Sequence, residues 1–171
     1  GEKCGMIKFI LGVAIVCFTS FCGYLLAKKY RQRKSFFVQM NQFNERFLSE
    51  IAYYRRPIKE FSEKYEYKGE FDELLSSFVG SLGKSGDAEG QAEKGFLPEY
   101  SFLTKDEAGF VRDYFLMVGK GDSASQSAYF TSVKGTLGEY KRKAAEECAK
   151  YGDLYLKLGF LCGLMILVII I

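Results

Sequence analysis

The two ends of this chain constrain it most. Residues 9–27 are nineteen residues without a charge. Coiled as a helix they span ~28 Å, close to the ~30 Å hydrocarbon core of a bilayer. Five cations follow within seven residues: Lys28, Lys29, Arg31, Arg33 and Lys34. A basic flank of this kind stays in the cytoplasm, so the helix is expected to enter with its C-terminal end inside. The competing reading is a cleaved signal peptide. The basic cluster disfavours it by lying after the apolar run, as a stop-transfer pattern does, and no A-x-A-like cleavage site is present. At the other end, residues 158–171 are again uncharged. Alone they reach only ~21 Å, but Lys157 can snorkel and extend the apolar stretch to Leu154. Tyr151 and Tyr155 stand where an interfacial aromatic belt belongs. A buried core helix is the alternative, yet residues 164–171 offer no polar face. Lys141, Arg142, Lys143, Lys150 and Lys157 lie on the inner flank of this run. Both anchors therefore agree. The expectation is a short external segment 1–8 (with Met6 a candidate native start), a transmembrane helix 9–27, a basic juxtamembrane stretch 28–34, a cytoplasmic bundle 35–157 and a C-terminal transmembrane segment 158–171.

Between the anchors, residues 35–157 hold 17 basic and 20 acidic side chains, a net charge of −3. No basic face is left for nucleic acid. The chain has no His, which removes Ser-His and Cys-His nucleophile pairs and His-containing zinc sites. Cys4, Cys17, Cys22, Cys148 and Cys162 are scattered without a C-x-x-C pair and read as small apolar filler in a reducing compartment.

The middle is expected to be all-α. Phe36, Met40, Phe43, Phe47, Ile51 and Tyr54 recur at spacings of four and three, one face of a helix continuing from the first anchor. Pro57 stops it and suits the first turn of the next helix, with Ile58 and Phe61 inward. Residues 66–69 read as a turn, and Phe71, Leu74, Leu75, Phe78, Val79 and Leu82 as another helical stripe. Residues 83–95 carry four glycines and no large apolar side chain, a flexible loop. Thr104 and Glu107 form a capping box, and Gly119 suits the end of the helix they open. Asp122 caps a last helix with Tyr129, Val133, Leu137, Tyr140 and Ala144 inward, continuous with the second anchor. No stretch alternates with period two, so no sheet is expected.

Little of this carries reaction chemistry. Gly83-Lys84-Ser85 lacks the upstream glycine of a phosphate-binding loop, since Phe78 stands there, and it follows a helix rather than a strand. Glu60, Glu63, Glu66, Glu70, Asp72 and Glu73 alternate with Lys59, Lys64 and Lys68 as a solvated mixed-charge surface. Gly159 and Gly163 form a G-x-x-x-G that allows close helix approach. Its partner is either another subunit or the first anchor, where Gly12, Thr19, Gly23 and Ala27 supply a small-residue stripe. Sixteen Phe and twelve Tyr exceed what a bundle this size should hide, so some are expected on a contact surface.

Three motifs share an order. Glu50-Ile51-Ala52-Tyr53-Tyr54 leads into Arg56-Pro57-Ile58, then Gly119-x-x-Asp122-x-x-x-Gln126 opens the last helix, which ends as Leu158-Gly159-Phe160-Leu161-Cys162-Gly163-Leu164. With an N-terminal membrane helix before them, they resemble the stage III sporulation protein AB family of endospore-forming bacteria. That family is similar in turn to the cytoplasmic domains of platform proteins in type II secretion and type IV pilus machines. The resemblance implies a non-enzymatic helical platform, without cofactor, in the mother-cell membrane around the forespore. Its partners would be membrane lipid, a secretion-type ATPase and the other subunits of a channel-like complex, with homo-oligomer formation left open. It singles out Glu50, Arg56, Pro57, Gly119, Asp122 and Gln126 as interaction residues, beside the membrane-packing glycines Gly12, Gly23, Gly159 and Gly163. Two other classes compete: a small membrane-anchored enzyme with a carboxylate-bound metal, and a membrane-anchored adaptor unrelated to secretion.

Overall fold

The absence of proline before Pro57 lets one hydrogen-bond ladder continue from the apolar N-terminal segment through the first helix. The computed structural model describes residues 2–53, 58–82, 98, 100–118 and 122–170. Its first helix, α1, covers Glu2–Tyr53. Five more follow among the described residues: α2 (Ile58–Lys64), α3 (Glu70–Leu82), α4 (Lys105–Met117), α5 (Ser123–Ser132) and α6 (Lys134–Ile170). No strand occurs among them. The all-α class is as the periodicity predicts. The chain divides into two units, one of Gly1–Arg31 with Lys143–Ile171 and one of Gln32–Arg142. Tyr54, Pro57 and the 83–95 segment lie outside the described residues.

In the Gln32–Arg142 unit the predicted α1 stripe is the core. Phe36, Met40, Phe43, Phe47 and Ile51 are all buried, and Phe37 joins them. Phe43 sits at the centre, with ring centroids 5.5–6.3 Å from those of Phe47, Phe61, Tyr67, Phe71, Tyr114 and Phe115. Most of these pairs are tilted or edge-on, the arrangement that the ring quadrupole favours. Much of the bundle's aromatic content is thereby spent inside. Among the described residues, the exposed large apolar side chains all belong to residues 9–26 and 154–169. Of the described bundle aromatics, Tyr65, Tyr100, Phe102, Phe110, Tyr129 and Tyr140 are partly exposed and the others are buried against one another.

Local signals set most boundaries. Gly69 turns the chain into α3 with φ +64, where a side chain would be strained, and its carbonyl accepts from the N–H groups of Asp72 and Glu73. Glu70, Asp72 and Glu73 then face the positive end of α3. Thr104 opens α4 through the full capping box with Glu107. Val118 occupies the C-cap of that helix, and Gly119 lies outside the described residues.

The last helix differs from expectation. Asp122 caps only α5, and Val133 interrupts the ladder before α6 begins. Val133 keeps right-handed helical dihedrals, so the break is local. Its causes are visible. The Ser132 hydroxyl donates to the Tyr129 carbonyl at 2.7 Å. The Asn44 amide donates to the Phe130 carbonyl at 3.2 Å, the acceptor an unbroken ladder would offer residue 134. Asn44 also accepts from the Tyr114 hydroxyl at 3.0 Å, so both buried polar groups are satisfied. Burial raises the Tyr114 phenol well above its ordinary range. Phe130, absent from the predicted inner face, is fully buried, as is Leu137, whereas Tyr129 is half-exposed.

Replacing Phe43 with Ala removes the ring that six others share and should cost about 3–5 kcal/mol. Thermal unfolding of the full chain in detergent measures it. An unchanged transition would show that the core is centred elsewhere.

Candidate functional site

The Gly1–Arg31 with Lys143–Ile171 unit is built on glycines. Packing in an apolar solvent gains nothing from hydrophobic transfer, so helices there associate by close contact of small residues. Gly23 and Gly159 meet backbone to backbone. A Cβ on Gly23 would stand 2.5 Å from the Tyr155 carbonyl oxygen and 3.3 Å from the Gly159 Cα. A Cβ on Gly159 would stand 2.7 Å from the Thr19 carbonyl oxygen. Gly163 lies one turn on, where a Cβ would approach the Thr19 Oγ1 to 2.5 Å and the Val16 Cα to 2.8 Å. Thr19 turns its hydroxyl back onto the Ile15 and Val16 carbonyls, at 3.0 and 3.1 Å, and so presents no unpaired donor. Gly12, on α1, faces the Leu167 side chain, apart from Gly159 and Gly163. The G-x-x-x-G partner is thus the chain's own first helix. The outer surfaces of the pair stay apolar and open, with Phe18 68%, Val168 77% and Ile169 82% exposed. Among the described residues, these two helices are long and apolar enough to cross a membrane.

Aromatic and charged residues close the end of the pair. Tyr30 packs on Tyr151 and Tyr155 with centroids at 5.5 and 5.8 Å. Arg31 reaches Asp153 at 3.5 Å, but these side chains are 51% and 76% exposed. A pair so wet contributes little to stability.

The Gln32–Arg142 unit holds the remaining candidates. Glu50 is buried on α1, its Oε2 4.0 Å from the Lys64 Nζ of α2. It serves the corner between two helices rather than an open face. Asp122 is exposed and accepts from the Ser125 N–H at 3.3 Å. Hydrogen bonds from the Ser125 side chain and backbone hold its carboxyl below the usual range. Gln126, one turn on, is half-buried, and its N–H bonds to the Asp122 carbonyl at 3.0 Å. Arg56, Pro57 and Gly119 lie outside the described residues, so Asp122 and Gln126 are the two of the six motif residues brought together. Among the described residues no three His, Cys, Asp or Glu side chains converge as a metal site.

One pairing escaped the sequence reading. Arg33 binds Glu107 side-on: Nε lies 3.1 Å from both carboxylate oxygens and Nη2 2.6 Å from Oε1. The side chains are 13% and 2% exposed. Glu107 Oε2 also accepts the Thr104 N–H at 3.0 Å, so a single carboxylate caps α4 and ties it to α1. Arg33 lay in the basic cluster and Glu107 in the capping box, and each motif is complete without the other.

A model of the family described as stage III sporulation protein AB matches residues 8–171. This chain belongs to the stage III sporulation protein AB family. A curated relative, stage III sporulation protein AB of Bacillus subtilis (strain 168), is 25% identical over 170 residues, covering 96% of this chain and 99% of that protein. No solved structure matches. The match includes both apolar helices and the bundle residues between them, and it gives the protein a role in sporulation.

Two pairs of substitutions test these features of this sporulation protein. Gly159→Ile puts a branched side chain against the Thr19 carbonyl and should lower the melting temperature of the full chain in detergent. Gly152→Ala, where a Cβ meets only the Cys148 Sγ at 3.6 Å, should not. Equal behaviour would show that the glycine crossing does not hold the pair. Arg33→Leu leaves Glu107 buried without its guanidinium and should cost about 3–5 kcal/mol, with Arg33→Lys intermediate because it keeps charge but loses the fork. Chemical denaturation of the three proteins checks the order.

Proposed function

We propose that this protein is a non-enzymatic membrane platform subunit of the channel-like complex joining mother cell and forespore. The supporting observation is the combination of a glycine-packed apolar pair, open to lipid on its outer surfaces, with a helical bundle that, among the described residues, has no fully exposed large apolar side chain. Such a bundle offers polar rather than apolar contacts to its partners. In this reading the paired helices lie in the mother-cell membrane, both termini face away from the cytoplasm, and the bundle faces in. The positive-inside rule supports that orientation, since cations flank the inner end of both helices. The partners are a secretion-type ATPase and other subunits of the complex. Asp122 and Gln126, at the start of α5, form the docking edge, with Asp122 also serving as the helix cap.

The expected outcome is specific. Affinity capture of the tagged chain after crosslinking in sporulating cells recovers a secretion-type ATPase. Gln126→Ala lowers that recovery severalfold without moving the melting temperature. Absence of the ATPase from the crosslinked material overturns the platform reading, and unchanged recovery with Gln126→Ala removes the docking edge. A variant keeping Cys148 as its one cysteine should resist an impermeant thiol reagent on intact protoplasts. Labelling before lysis would reverse the orientation.

A further inference from the structure

The contact of Gly23 with Gly159 and the reach of Arg31 to Asp153 set the two helices antiparallel and bring residues 25–31 level with residues 150–157. That band holds five cations, Lys28, Lys29, Arg31, Lys150 and Lys157, against a single carboxylate, Asp153. Arg31 occupies the carboxylate. Lys150 lies over the Tyr151 ring, its Nζ 5.1 Å from the centroid. Lys28, Lys29 and Lys157 are exposed and make no ion pair with another described residue. The apolar outer surfaces begin directly beside them, at Leu25, Leu26 and Leu158, each about half exposed. Tyr30, Tyr151 and Tyr155 stack in the middle of the band, amphipathic rings at the level where chain and headgroup regions of a bilayer meet.

We infer that this band is a binding site for anionic phospholipid headgroups, with Lys28, Lys29 and Lys157 donating to the phosphate oxygens. The inference rests on the membrane reading above and adds a preference among lipids to it. The occupant must combine negative charge with an apolar tail, because the cations and the open apolar surface adjoin on the same helices. A lysine near an anionic lipid surface contributes about fivefold in affinity, falling with ionic strength. Three such lysines, none of them in an ion pair with another described residue, make the preference measurable.

The test uses the full chain in nonionic detergent with equimolar phosphatidylglycerol and phosphatidylcholine, the retained lipid counted by native mass spectrometry. Phosphatidylglycerol should be retained at least about fivefold over phosphatidylcholine. The Lys28→Gln, Lys29→Gln, Lys157→Gln triple variant should retain the two equally, and the corresponding Lys→Arg triple variant should keep the preference. Equal retention by the unsubstituted chain, or a preference that survives the Gln variant, overturns the inference. So does displacement of phosphatidylglycerol by millimolar inorganic phosphate, which would mark a site for a free anion. Flotation with pure phosphatidylcholine vesicles separates the two readings. A chain that floats but shows no lipid preference loses only this site, and one that does not float loses the membrane reading as well.

Discussion

The continuity of α1 is the constraint on which both units depend. A single ladder over Glu2–Tyr53 carries a small-residue stripe in its first half and an aromatic stripe in its second. The first half meets α6 at Gly23, where only hydrogen leaves room for the opposing backbone. The second half places Phe36 through Ile51 at the bundle core.

Two ion pairs on neighbouring residues of α1 show how burial decides importance. Arg31 and Asp153 form an exposed pair of single contact, competing with water and salt for its charges. Arg33 and Glu107 form a forked, nearly dry pair. Its removal by halves strands a buried carboxylate that also caps α4. Desolvation makes such a pair costly to assemble, so its value lies less in net stability than in fixing which turn of α4 meets which turn of α1.

The polar pair at Asn44 works in the same manner. An amide inside an aromatic core carries a large penalty unless all its groups are met. Tyr114 and the Phe130 carbonyl meet them, and the second bond interrupts the last helix near Val133. A packing requirement at the middle of α1 thereby sets where α5 ends and α6 begins. The exposed apolar pair has a different logic. Its outer side chains need an apolar surrounding, while the band of cations and tyrosines at its end needs a polar, negatively charged one.

Helix class, the α1 stripe, the turn at Gly69, the Thr104 capping box and the Asp122 cap were all legible in the sequence, because each depends on residues within one or two turns. Family membership was legible too, from the order of motifs along the chain. The partner of the Gly159-Gly163 motif was left between the first helix and another subunit, since close approach is a property of two backbones and only one is local. Tertiary structure decided that it is α1. It also decided which aromatics are buried, because composition counts rings without placing them, and only the packing around Phe43 separates Phe47, Phe61 and Phe71 from the partly exposed Tyr65 and Tyr129. Arg33 with Glu107 lies furthest from sequence reading. The partners are 74 residues apart, each is already explained by a local motif, and only the packing of α4 against α1 makes the two charges a pair.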